Sequence, residues 1–82
     1  MSRSEVILTQ WVLYHSPLDF PGKWVIRRCE IQRGNPEPQF TSDHRVADTR
    51  EEVLDHLTEE LDGMVFLQRS PGDQRSIVGV FT

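Results

Sequence analysis

The sequence predicts an α+β domain in which one helix packs, in two layers, on a four- to five-stranded, mostly antiparallel sheet. Three observations lead to this fold class. The segment Thr49–Gly63 has the apolar spacing of an amphipathic helix. The other apolar residues lie in short runs rich in β-branched and aromatic side chains, which favour strands. Pro, Gly, Asn and Asp separate those runs, as turns require. The predicted order of elements is ββ(β)αββ, in which the third strand, shown in brackets, is optional.

The first strand is predicted over Glu5–His15, EVILTQWVLYH, and both of its faces are largely apolar. Two prolines and a glycine then make Ser16–Lys23 a loop, and its Pro-Gly pair suits the centre of a type II turn. We expect Leu18 and Phe20 to attach this loop to the domain. An ordinary packed connection and a functional loop are both compatible with its length.

The second strand is predicted over Trp24–Arg33. Arg27 and Arg28 are adjacent in it, so their side chains point to opposite faces and one of them meets the more buried side. Because an unpaired arginine on a buried face is costly, we expect at least one of the two to meet a carboxylate, with the acidic helix as its source. The alternative is a contact with an anion or a phosphate.

The connection after the second strand contains two prolines, so Gly34–Pro38 predicts a turn followed by extended chain. The optional third strand is Phe40–Ala47, with Phe40 and Val46 as its apolar anchors. The chain ends in a predicted hairpin, since two apolar runs flank a segment with strong turn chemistry. Its two strands and its loop are Met64–Arg69, Arg75–Thr82 and Ser70–Gln74.

The helix has clear signals at both ends. Thr49 and Glu52 have the spacing of a capping box, and Gly63 fits the position that closes the last turn in a left-handed conformation. One stripe is apolar, which predicts burial against the sheet. The outer face is acidic, as in a solvated surface or a docking surface for a basic partner. The stripe is Val53, Leu54, Leu57 and Leu61, and the acids are Glu51, Glu52, Asp55, Glu59, Glu60 and Asp62.

Length and composition indicate one domain, residues 1–82, with enough apolar residues for a core. The net charge of −4 argues against a general nucleic-acid binder, which would be basic. A single cysteine excludes an internal disulfide and is typical of a reducing cytoplasm. No apolar run approaches the roughly 18 residues of a membrane span, so no membrane partner is expected.

Chemical motifs are weak throughout the sequence. Cys29 could act as a nucleophile only beside His15, His44 or His56, and a cysteine on a strand is more often a small core residue. No spacing typical of metal ligands occurs, and no glycine-rich phosphate loop is present. We therefore expect no metal and no cofactor. A metal site in this chain would have to use Asp43, His44, Asp48 and His56.

Two stretches resemble known proteins. One resemblance is to small uncharacterised bacterial proteins, and it rests on the stretch D-F-P-G-K-W-V-I-R-R, the T-x-E-E helix and the R-S-P-G-D hairpin. It implies a bacterial origin but no particular activity. T-R-E-E-V-L-D-H-L is similar to the helix of MbtH-like proteins, which are small partners of peptide-synthetase adenylation domains. This chain departs from that family, because it lacks the tryptophan–proline signature before the helix and adds two strands after it.

The function class that these observations favour is a non-enzymatic interaction or accessory domain acting through a sheet face. Its candidate binding residues are Trp11, Trp24, Arg27 and Arg28. One alternative is a weak nucleic-acid-binding module that uses these arginines and aromatics as a stacking platform. An exposed tryptophan on a positive face would favour it, whereas arginines paired with acids would count against it. Another alternative is a small enzyme that uses Cys29 or a histidine.

The strands on both sides of the helix are apolar on both faces, although one helix covers only part of one face. A sheet open to water on its second face should instead alternate apolar and polar residues. Something must therefore shield the second face. The candidates are the chain's own loops, a second copy of the chain or another protein partner.

Overall fold

The computed structural model describes residues 5–69 and 75–82, so the predicted loop Ser70–Gln74 lies outside the described residues. The described chain contains strands and two short helices, which confirms the α+β class. In chain order the elements are β1 (Val6–His15), β2 (Trp24–Gln32), β3 (Asn35–Ala47), α1 (Arg50–Asp55), α2 (Thr58–Leu61), β4 (Phe66–Gln68) and β5 (Ile77–Phe81).

The strands form one antiparallel sheet in the order β3-β2-β1-β5-β4. β1 is the central strand, which agrees with its two apolar faces, since a central strand is covered more completely than an edge strand. The four residues from Trp11 to Tyr14 are all buried. β4 and β5 pair as the predicted terminal hairpin, and β5 then pairs with β1. β3 and β4 are the two edges.

The third strand is present and longer than its pattern predicts. It begins at Asn35, which pairs with Gln32 across a two-residue turn, and Gly34 supplies the positive φ of 79° at this turn. Pro36 and Pro38 then lie within the strand. They are tolerated because β3 is an edge strand, where a missing N–H leaves no partner strand unsatisfied. The expected extended segment is therefore part of the sheet.

The structure has two short helices where the sequence predicted one, and the helical conformation is interrupted at Leu57. The hydroxyl of Thr49 caps α1 by accepting from the N–H of Glu52 at 3.1 Å, as predicted. Leu57 has φ −127° and ψ 27°, which are not helical angles. The hydroxyl of Thr58 donates to the carbonyl of Asp55 at 3.1 Å, so this carbonyl at the end of α1 is satisfied.

The helices pack on one side of the sheet, which we call the helical face. Val53 and Leu57 are fully buried there against Trp11, Leu13 and Ile26. The predicted burial of these two helix residues is confirmed, whereas Leu61 is only half-buried. The acidic outer surface is confirmed too, because all six acids of the helical segment are exposed. They are Glu51, Glu52, Asp55, Glu59, Glu60 and Asp62.

The opposite side of the sheet, the open face, is covered at one end by the loop after β1. Phe20 packs there on Tyr14, Val25 and nearby apolar residues. The loop closes with a turn in which the N–H of residue 23 donates to the carbonyl of Phe20 at 3.2 Å, and Gly22 has φ 76°. The expectation that Leu18 also attaches the loop is wrong, because its side chain is 96% exposed.

Candidate functional site

The sheet extends beyond the helices on the helical face, and charged side chains occupy that extra span. Arg28 lies on this face because it pairs with Trp11 across the strands. Its guanidinium is 3.9 Å from the carboxylate of Glu30 and 3.8 Å from that of Asp43. Arg45 donates to Asp43 at 2.6 Å. This end of the helical face therefore meets water through a network of ion pairs.

The open face carries several apolar side chains near the ends of its strands. The strand register places Leu8 opposite Ile31, Phe40 opposite Cys29 and Leu67 opposite Val80, all on this side of the sheet. Val65 joins them, since its N–H donates to the carbonyl of Thr82 at 2.7 Å. Four of these side chains are about half-exposed. They are Leu8 at 42%, Phe40 at 55%, Val65 at 60% and Leu67 at 53%.

These four residues, which we call the apolar patch, belong to three different strands. β3 supplies Phe40, β1 supplies Leu8, and β4 with the residue before it supplies Leu67 and Val65. Between Phe40 and Val65 lie the buried Cys29 and then two half-buried polar residues, Gln10 and Thr82, whose side chains form a hydrogen bond of 3.3 Å. A shallow cleft of about 360 Å³ adds more apolar surface at the end of the sheet beside Leu8. It is lined by Ile7, Ile31, Gln32, Gly34, Asn35 and Pro36.

The two predicted tryptophans are not free platforms. Trp11 is 3% exposed and belongs to the core under the helices. Trp24 is half-buried and carries the His15 ring stacked on it, with centroids 4.3 Å apart and planes inclined by 23°. Because Trp11 is buried and Trp24 is stacked on a protein side chain, this arrangement does not favour a nucleic-acid stacking platform.

Arg27 lies on the open face, opposite Val12, beneath the loop. It forms an ion pair with Asp19, and its guanidinium carbon is 5.4 Å from the centroid of the Tyr14 ring. Both predicted arginines therefore meet carboxylates. The carboxylates come from the loop and from β2 and β3, so the expectation that the helix supplies them is wrong. Arg27 also lines a cavity of about 320 Å³ with Asp19, Phe20, Thr41, Ser42 and His44.

Cys29 is 1% exposed and packs with Val12, Tyr14 and Val25. Burial, and secondarily the charge of Glu30, raises the pKa of its thiol, which disfavours the reactive thiolate. Within residues 5–69 and 75–82, no group of three or more His, Cys, Asp or Glu side chains could hold a metal ion. The geometry therefore gives the enzyme alternative no nucleophile at this position.

No family model, curated protein or solved structure matches the chain. The two sequence resemblances thus stay predictions. In the part of the chain that the structure describes, no helix combines the length and the hydrophobicity needed to cross a bilayer.

Sequence reasoning predicted a sheet with two apolar faces, one of which the helix leaves unshielded, but it did not predict which part of that face stays exposed. Phe40 was expected to be a buried anchor, and it is more than half exposed. The missing information was which end of the open face the loop covers. That end is set by Phe20, which packs beside Tyr14 and leaves the strand ends near Leu8 and Phe40 uncovered.

Proposed function

We propose that this chain is a non-catalytic interaction domain, and that its apolar patch binds the same patch of a second copy. One observation carries this proposal. On β2 and β3 the helical face carries ion pairs, whereas the open face of the sheet exposes Leu8, Phe40, Val65 and Leu67. Several exposed apolar side chains on one face of a sheet commonly mark a surface that is buried in a complex.

The distribution of charge supports a second copy as the occupant. Two chains that each carry a net charge of −4 repel one another, most strongly through their acidic helices. Those helices pack on the helical face, so they point away from a contact made through the open faces. Arg27 on the open face is already neutralised by Asp19. A pairing of open faces therefore avoids the repulsion that a pairing of helical faces would create.

The small area of the patch indicates a weak association between two copies. Four half-exposed side chains expose on the order of 400 Å², about half of what one partner contributes to an interface of standard size. We therefore expect a dissociation constant in the range of about 10–100 μM, rather than an obligate dimer. A symmetric contact of two identical patches also closes on itself, so the association should stop at the dimer.

Sedimentation velocity of the intact chain from about 1 to about 500 μM tests the proposal. The wild type should shift from monomer to dimer over this range. Leu67→Glu and Phe40→Glu should each remain monomeric, because each places a charge in the patch. Leu18→Glu is the matched control, since it makes the same change at a fully exposed leucine outside the patch, and it should dimerise like the wild type.

Two results would overturn the proposal. One is a wild type that stays monomeric throughout the range. The other is an equal loss of dimer in Leu18→Glu and Leu67→Glu, which would mean that added negative charge alone weakens the association. Thermal melts of each variant show that the folded state is retained.

A further inference from the structure

A basic cleft lies at the other end of the molecule, between the start of α1 and the β4–β5 hairpin. Its volume is about 650 Å³. A shallower cleft of about 340 Å³ continues from it, and the two share His15 and Arg75. The larger cleft is lined by His15, Arg50, Phe66, Gln68, Arg69, Arg75, Ile77 and Val78.

A glycine makes room for the aromatic ring that lines the cleft. Gly79 on β5 has no side chain, so the ring of Phe66 on the neighbouring strand lies directly over its backbone. The same ring packs against Phe81, with centroids 4.8 Å apart. Arg50, the first residue of α1, places its guanidinium carbon 5.2 Å from the centroid of the Phe66 ring. A cation is thus held over an aromatic floor.

Two arginines of this cleft, Arg50 and Arg75, differ from four arginines elsewhere in the described chain. Arg27, Arg28, Arg33 and Arg45 each form an ion pair with a carboxylate. Within residues 5–69 and 75–82, neither Arg50 nor Arg75 has an ion pair, and none of the described residues that line the cleft is acidic. The chain has thirteen acids and nine lysines and arginines, so carboxylates are not scarce. Arg50 and Arg75 nevertheless line the same cleft without an ion pair to a described carboxylate.

We propose that this cleft binds a phosphate ester of about the size of a mononucleotide. Arginine guanidinium groups are the side chains best suited to phosphate, because they donate parallel hydrogen bonds to two of its oxygens. The His15 ring, held by its stacking on Trp24, adds a further polar group at the rim. The ligand would supply a negative charge that the described lining residues do not carry.

The size and lining of the cleft indicate more than a bare phosphate ion. A volume of about 650 Å³ lies in the range of sites for small organic ligands. Besides its cations, the cleft offers the amide of Gln68 and the apolar surfaces of Phe66 and Val78. These groups suit the remainder of an ester, such as a sugar and a base, while the arginines hold its phosphate.

Isothermal titration calorimetry on the full chain tests this proposal with AMP, adenosine and inorganic phosphate as ligands. AMP should bind, and adenosine should bind at least about tenfold more weakly, because it lacks the charged group. Inorganic phosphate should compete with AMP. Arg50→Gln and Arg75→Gln should each weaken AMP binding by about tenfold or more. The matched control is Arg33→Gln, which removes the same charge at an exposed position outside the cleft and should bind AMP like the wild type.

Several results would overturn the proposal. Equal affinities for AMP and adenosine would show that the phosphate does not contribute to binding. Equal losses of AMP affinity in Arg33→Gln and Arg75→Gln would show that net charge, and not the cleft, accounts for the effect. Absence of AMP binding at millimolar concentrations would refute the small-molecule assignment, as would binding to phosphatidic acid vesicles without binding to AMP. Thermal melts establish that each arginine variant is folded. This test is independent of the dimer, whose contact surface is the other face of the sheet.

Discussion

Replacing Gly79 by alanine should strongly destabilise the protein, although glycine in a strand is usually replaced without strain of this kind. A Cβ at this position would lie 2.5 Å from the carbonyl oxygen of Leu67 and 2.7 Å from Cε1 of Phe66, with the ring atom Cζ closer still. These separations are well inside van der Waals contact. Gly79 is buried and pairs with Leu13 and Gln68, so the strand cannot shift without disturbing both neighbours.

The expected loss in the free energy of unfolding depends on which atoms the added Cβ would displace. Overpacking a well-packed site costs about 1–3 kcal/mol. The upper end applies here, because one crowded atom belongs to the backbone of β4 and the others to a ring held against Phe81. A loss of about 3 kcal/mol would lower the melting temperature of a domain of this size by about 12–24 °C. It would also remove a large part of a total stability of about 4–12 kcal/mol.

Urea denaturation followed by circular dichroism measures the cost, and a double-mutant cycle identifies its source. Phe66→Leu removes the ring, so Gly79→Ala should cost less in that background, with a coupling of about 1 kcal/mol or more. Part of the cost should remain, since the carbonyl of Leu67 is still close. A change within about 0.5 kcal/mol for Gly79→Ala in the wild type would refute the reasoning. An identical cost in both backgrounds would show that the ring is not the crowded group.

Two further predictions concern the core on either side of the sheet. Leu57→Ala should lower the free energy of unfolding by about 2–5 kcal/mol, because its side chain is fully buried under the helices, whereas Leu18→Ala should change it by less than about 0.5 kcal/mol. Burial raises the pKa of the Tyr14 phenol above 10.0, while the positive charge of Arg27 lowers it. The associated stability is therefore present below the pKa of the unfolded chain and is lost as the pH rises through the higher, folded value. Phenolate absorbance of this one tyrosine should show the shift, Arg27→Gln should increase it, and titration at the ordinary pKa would contradict it.

The sequence predicted those parts of the fold that depend on neighbouring residues. The apolar faces of β1, the cap at Thr49 and the turn at Gly22 follow from side chains within a few positions of one another, and the structure agrees with all three. The length of β3 could not be predicted in this way. Two prolines are compatible with a strand only at a sheet edge, and the sheet order that makes β3 an edge is a property of the whole chain.

The candidate surfaces were harder to predict for the same reason. Arg50, Arg69 and Arg75 are dispersed along the sequence, and they line one cleft only because β4 and β5 pair beside the start of α1. Arg27 and Arg28, by contrast, attract notice as a pair of adjacent charges, but their carboxylate partners lie in segments whose position depends on the register of β3 and on the path of the loop. The sequence therefore drew attention to Arg27 and Arg28 and not to the arginines that line the cleft.

The contrast between the two faces bears directly on why the apolar patch exists. On the helical face, Arg28 and Asp43 show that the uncovered end of this sheet accepts charged residues without loss of the fold. A polar residue at Phe40, which lies on one of the same strands, would therefore be compatible with the fold, so packing within one chain does not explain an exposed phenylalanine there. Burial in the proposed contact would explain the apolar residues of the patch. Accordingly, Leu67→Glu should leave the free energy of unfolding of the monomer within about 0.5 kcal/mol of the wild type while it abolishes dimerisation. A large loss of monomer stability would show instead that Leu67 supports the core of its own chain.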